Sequence, residues 1–126
     1  MLRIFSCFLI FLFFSCSKIY VNKEATFSSY YKKKSSKILI DVRTPEEFKS
    51  GQAIEAINID FYNENFETDL LKISRNKEIY LYCRSGRRSG IASQFLIENG
   101  YRNVYNIDGG TIKMDSIYLN SSTFNN

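Results

Sequence analysis

Apolar residues in this chain come in short bursts whose period changes from one stretch to the next. KILIDV (37–42) is a compact aliphatic run and reads as a strand. TPEEF follows at 44–48: Thr44 stands where a cap is needed, Pro45 takes the first helical position and Glu47 completes a capping box, predicting a short helix that stops near Gly51. AINID (56–60) predicts a second short strand. In ENFETDLLKI (64–73), Phe66, Leu70 and Ile73 recur at the spacing of one helical face. EIYLYC (78–83) is apolar almost without alternation, as expected of a strand buried on both sides. After it, Ile91, Ala92, Phe95 and Leu96 form one stripe of a helix that Gly100 ends in the left-handed conformation, and NVYNI (103–107) is the last strand. Ahead of the first strand, ATFSSYYKKK (25–34) predicts a helix and SKIYVNKE (17–24) a polar tether; LNSSTFNN (119–126) is a polar tail.

Strands and amphipathic helices alternating at this spacing imply βαβ units, hence an α/β fold with a mostly parallel sheet and helices on both faces. At 126 residues the chain has room for one such domain, placed here at 25–118. Its hydrophobic fraction of 44% and charged fraction of 24% are ordinary for a globular chain, which argues against disorder.

The start of the chain departs from this pattern. MLRIFSCFLIFLFFSC has one cation, Arg3, then an apolar run over 4–14 broken only by Ser6 and Cys7. A membrane-crossing helix needs about 20 apolar residues and a signal-peptide core about 7–15, so the run is of signal length. Residues 1–15 are therefore expected to be a signal peptide. Its ending resembles a bacterial lipoprotein signal, which implies lipid attachment at Cys16, a tether over 16–24, and a protein held in the cell envelope, facing the periplasm or exterior. An ordinary secretory signal or a short anchor with Cys16 incidental is the other reading of the same residues.

With Cys7 removed and Cys16 acylated, Cys83 is the one remaining thiol of three cysteines, and a single thiol makes no internal disulfide. It is either a buried, inert side chain or a reactive one. Net charge is +4, with four lysines close together in YYKKKSSK (30–37), a run that reads as a solvated face or as a contact with anionic headgroups. No nucleic-acid motif accompanies it, and no nucleic-acid partner is expected. The chain contains no histidine, which excludes Ser-His-Asp and Cys-His catalysis and His-ligated zinc. No metal or cofactor is expected. Whatever activates Cys83 must be charge, dipole and backbone.

The residues after Cys83 offer all three. RSGRRS (84–89) is rich in Gly and Ser, so its backbone can curl and aim successive N–H groups at one point, closed by the first turn of the following helix. Arg84, Arg87 and Arg88 add positive charge. These terms lower a thiol from its free pKa of about 8.5, each unit favouring the thiolate by ~1.4 kcal/mol.

The segments CRSGRRS (83–89), DVRTPEEF (41–48), AINI (56–59) and NVYNIDGG (103–110) together resemble the rhodanese, or sulfurtransferase, family over about residues 25–114. The resemblance implies a rhodanese-like sheet of about five parallel strands flanked by helices, and a Cys83 thiolate that takes sulfane sulfur from a small anionic donor such as thiosulfate, forms a persulfide, and passes the sulfur to a thiol or to cyanide. It implies that Arg84, Ser85, Gly86, Arg87 and Arg88 bind the substrate around that sulfur, with Arg88 fixing the loop, and that Asp41, Arg43 and Ser89 stand behind them. No further protein partner is implied. Relatives that hydrolyse phosphate esters carry the loop arginine six positions after the cysteine, whereas here Arg88 is five after Cys83 and Ser89 takes the sixth place. The count favours sulfur over a phosphatase or arsenate reductase. A sulfur-carrier or anion-binding module without turnover is the alternative of another kind. The chain departs from the family at QAIEAINI (52–59), where Gln52, Ile54 and Glu55 replace the usual His, Pro and Gly, and Met114 stands where an aromatic is common after the double glycine.

Overall fold

Five strands run in the same direction through the domain. The computed structural model describes residues 22–120; the apolar run at 4–14, Cys16, most of the expected tether and the tail from 121 lie outside the described residues. The strands are β1 (Lys23–Ala25), β2 (Lys37–Asp41), β3 (Ile57–Asn58), β4 (Glu78–Tyr82) and β5 (Val104–Ile107), in the spatial order β1-β5-β4-β2-β3 with every pairing parallel. β4 lies at the centre, in register with β2 from Glu78 opposite Lys37 to Tyr82 opposite Asp41. That position explains its unbroken apolar run, since Ile79 and Leu81 serve one face and Tyr80 and Tyr82 the other.

Four helices cover the two faces: α1 (Phe27–Lys32), α2 (Pro45–Lys49), α3 (Phe66–Leu71) and α4 (Arg87–Glu98). Phe66 and Leu70 of α3 and Ala92 and Leu96 of α4 close over Ile40, Val42, Ile79 and Leu81. Phe27 and Tyr30 of α1 pack with Leu39, Tyr80, Tyr82 and Ile107 on the opposite side. Each fully buried aliphatic side chain in these layers contributes ~1.5–3 kcal/mol. The rhodanese-like α/β architecture expected from the sequence is the one observed.

Four details differ from expectation. The tether ends two residues early, because Lys23–Ala25 joins the sheet as an edge strand beside β5; two exposed charged residues and one alanine carry no apolar pattern, and the pairing with β5 defines the strand. The second strand shrinks from five residues to Ile57–Asn58. Ile91 does not join the core stripe of α4: it is 48% exposed, and the buried residues there are Ser89, Ala92, Ser93 and Leu96. Ile91 instead lines a groove of about 290 Å³ with Phe61, Phe66 and Phe95. At the other end, Leu119 bridges to Ala53 and Asn120 N–H donates to the Gln52 carbonyl, so the domain continues past 118.

Candidate active site

Cys83 follows β4 directly, at the carboxyl end of the central strand, and the chain then turns through 84–86 into α4. The turn depends on Gly86, whose φ of 97° lies in the left-handed region, before the twelve-residue helix begins. In that conformation the Gly86 N–H donates to Cys83 Sγ at 3.1 Å. The Ser89 hydroxyl, on the first turn of α4 and fully buried, lies 3.5 Å from the same sulfur. Cys83 itself is only 1% exposed.

Burial pushes the Cys83 thiol up. Hydrogen bonds from the Ser89 hydroxyl and from the backbone amides of Ser89, Ser85 and Gly86 outweigh it, and the thiol ends below its ordinary value. The Ser89 proton has a second claimant, because its oxygen lies 2.7 Å from Asn106 Oδ1 on β5, while Asn106 Nδ2 donates to the Gly86 carbonyl at 3.1 Å. One hydroxyl proton serves one acceptor at a time. The backbone amides are therefore the constant part of the thiolate's environment, and Ser89 is the part that can turn towards it. Ser89→Ala is expected to move the pKa of Cys83 upward while leaving the thiol reactive, measured as the pH dependence of its alkylation rate.

Arg88 does not point at an open anion site. Its guanidinium makes a two-pronged pair with Glu47, Nη1 to Oε2 at 2.8 Å and Nη2 to Oε1 at 2.9 Å. Glu47 Oε2 also accepts the Thr44 N–H at 2.9 Å as part of the capping box that starts α2. Hydrogen bonds from Arg88, working against burial, hold the Glu47 carboxyl down at about 2. One carboxylate thus ties the start of α2 to the start of α4, across 41 residues. Arg84 and Arg87 are exposed and make no ion pair among the described residues. They are the cations free to meet an anion at the mouth, where the exposed ring of Tyr62 stands 5.7 Å from the Arg88 guanidinium.

Asp41 and Arg43 form a buried pair, with Arg43 Nε and Nη2 donating to the Asp41 carboxylate at 2.6–3.0 Å and Nη2 also to the Gly51 carbonyl at 2.7 Å. Side chains alternate along β2, and this pair lies on the Tyr82 face, with the Arg43 guanidinium 5.7 Å from the Tyr82 ring, whereas Cys83 belongs to the opposite layer with Val42. The pair braces the end of the sheet and does not reach the sulfur. The loop is closed from a third side by the double glycine after β5: the Thr111 and Ile112 N–H groups donate to the Cys83 and Arg84 carbonyls at 2.9 and 3.1 Å.

The sequence marks Glu47 only as part of a capping box, and Asn106 and Gly110 only as members of NVYNIDGG; their contacts with the Cys83 loop come from the fold. No group of His, Cys, Asp and Glu that could hold a metal ion occurs among the described residues.

A model of the rhodanese-like domain matches residues 26–114. The chain belongs to the rhodanese family. It is 36% identical over 115 residues to the uncharacterized protein YqhL of Bacillus subtilis, covering 86% of each chain. A protein named sulfurtransferase in Allochromatium vinosum is 33% identical over 75 residues, 60% of this chain and 68% of that one. The tRNA uridine(34) hydroxylase of Buchnera aphidicola is 39% identical over 80 residues, but this chain spans only 26% of its length. Among solved structures, the rhodanese-like domain protein of Staphylococcus aureus superposes with a TM-score of 0.67 at 25% identity, covering 78% of this chain and 96% of that one.

Against the rhodanese pattern, the substitution at Glu55 acquires a physical meaning. Glu55 has φ of 68° and is the one non-glycine residue in the left-handed region among those described, at the place where the family resemblance implies a glycine. The backbone keeps the glycine conformation although the side chain is now glutamate, and that side chain is exposed. Glu55→Gly is expected to leave stability unchanged or raise it by up to about 1 kcal/mol, read as the midpoint of urea unfolding; a loss would mean that the exposed carboxylate stabilises the turn.

Proposed function

We propose that this rhodanese is a sulfurtransferase whose Cys83 carries sulfane sulfur between two small reactants. The observation that supports the reading is the placement of amide and hydroxyl donors on Cys83 Sγ, which favours a thiolate in a chain without histidine. The thiolate attacks the outer sulfur of thiosulfate, the sulfur–sulfur bond of the donor breaks, and its electron pair leaves on sulfite, giving a Cys83 persulfide. The terminal sulfur of that persulfide is also anionic, and loop N–H donors and the α4 N-terminus favour it for the same reason. An acceptor thiolate or cyanide then attacks the terminal sulfur, and the bond to Cys83 breaks with its pair returning to Sγ. Arg84 and Arg87 draw the dianionic donor to the mouth, while Arg88, committed to Glu47, holds the loop in shape. We further propose that the mature protein begins at an acylated Cys16 and works in the cell envelope, as the signal-length run before it suggests.

One measurement addresses both parts. The intact mass of the mature protein, before and after thiosulfate, is expected to show acyl chains at Cys16 and one added sulfur on Cys83. Multiple turnovers of thiocyanate from thiosulfate and cyanide accompany the adduct. An adduct without turnover would make the protein a carrier; absence of the adduct removes the sulfur-transfer reading altogether.

A further inference from the structure

The sulfur chemistry uses only the carboxyl ends of the strands, yet much of the positive charge gathers at the other end. Because all five strands are parallel, the residues that open them share one rim of the sheet. Lys23 opens β1, Lys32 ends α1, Lys33 and Lys34 lead towards β2, Lys77 precedes β4 and Arg102 precedes β5. They are neighbours in space as well: Lys23 Nζ donates to the Arg102 carbonyl at 3.4 Å, and Lys23 and Lys33 both lie over the Tyr105 ring, at 5.5 and 5.7 Å. The acids at this rim are Glu78, already held by Lys33 at 2.7 Å, and Glu98 at the end of α4, with Glu24 one residue inside the edge strand. The opposite rim mixes its arginines with Glu46, Glu47, Asp60 and Asp108, so cationic character is concentrated away from Cys83.

The chain enters the described domain along the flank of α4, where Asn22 Nδ2 donates to the Gly90 carbonyl at 3.2 Å, and Lys23 of the basic rim is the next residue. Cys16 stands six residues before Asn22, a span of about 20 Å at full extension. A domain of this size is wider than that, with a radius of gyration of about 13 Å. A lipid on Cys16 therefore keeps the face around Lys23 within reach of the headgroups. Resting on the Cys16 anchoring proposed above, we infer that the rim formed by Lys23, Lys32, Lys33, Lys34, Lys77 and Arg102 is a docking surface for anionic lipid headgroups. It lays the domain on the bilayer with Cys83 facing away, open to soluble donors and acceptors.

The test uses the full chain on vesicles of phosphatidylcholine alone and of phosphatidylcholine with phosphatidylglycerol. Reaction of each lysine with an amine-acylating reagent is read by peptide mass spectrometry. On the anionic vesicles Lys23, Lys32 and Lys34 react at least about threefold more slowly than on the neutral ones, and Lys113, at the Cys83 end, is unchanged; high salt abolishes the difference. In Lys32→Glu/Lys34→Glu, at two exposed positions without an ion pair among the described residues, the protection of Lys23 is lost. Equal protection of Lys113, or no difference between the two lipids, overturns the inference. A chain recovered unbound from neutral vesicles rejects the anchor and not the rim: protection of the same lysines on anionic vesicles then still supports the surface, and its absence rejects both.

Discussion

Cys83→Ser is expected to reduce the proposed thiocyanate formation from thiosulfate and cyanide to the uncatalysed background, a loss of at least about three orders of magnitude in kcat/KM, and to leave no sulfur on the protein after donor treatment. The serine oxygen lies slightly nearer Cβ than the sulfur but still faces the Gly86 N–H, so the loop is expected to stay closed and thermal unfolding to move little. What is lost is an ionisable nucleophile. A thiol held below its ordinary pKa by hydrogen bonds ionises more readily than a free one, whereas a hydroxyl needs a base, and the chain has no histidine to act as one. Cys83 is also the free cysteine among the described residues, so no neighbouring thiol there takes over. A variant that retained its rate would place the chemistry elsewhere in the chain. The surviving fold separates this result from simple destabilisation, and the pH profile of wild-type alkylation supplies the complementary check, with reactivity persisting below the ordinary thiol range.

Gly110→Ala is expected to lower stability by more than about 3 kcal/mol, with a fall in Tm of more than about 10 °C. Gly110 has φ of 53°, and a Cβ there would come within 2.1 Å of the Cys83 carbonyl oxygen and 2.8 Å of the Arg84 carbonyl carbon and oxygen. All three contacts are backbone, so no side chain can swing aside. Either the nucleophile's loop or the turn after β5 must move, and each movement breaks the Thr111 and Ile112 hydrogen bonds that join them. The molecules that stay folded are therefore expected to carry a displaced Cys83 and to be poor in the proposed sulfur transfer. Gly109→Ala provides the contrast: the three atoms nearest its Cβ all belong to the flexible side chain of Lys113, which can move aside, and a further cost is that of placing alanine at φ of 71°. A Gly110→Ala protein that melts within about 2 °C of wild type would show that the two loops are not rigidly coupled.

Several parts of the site were legible before any coordinates because they are local. The Thr44–Glu47 capping box, Pro45 at the helix start and the Gly86 turn are written within a few residues of one another, and the structure contains each of them. The apolar runs of β2 and β4 likewise announce strands, and that of β4 a strand buried on both faces. β1 was missed for the opposite reason. Two of its three residues are charged and the third is a lone alanine, so no apolar pattern announces it, and only pairing with β5 makes it a strand. Ile91 was misplaced because helical period alone cannot say how far α3 extends over α4, and the groove between them leaves this side chain outside.

Sequence alone determined the alternation of strands and helices from β2 onwards, the absence of a histidine base, and the loop that wraps Cys83, since turn chemistry, hydrophobic period and residue type act over short distances. Tertiary structure decided the partners of that loop. Glu47 meets Arg88 across 41 positions, Asn106 meets Ser89 across 17, and Gly110 lies against the Cys83 carbonyl, because a parallel sheet brings the carboxyl ends of distant strands to one edge. The same parallel order gathers the lysines at the other edge. Neither juxtaposition is carried by any single stretch of chain, because each depends on which strand lies beside which.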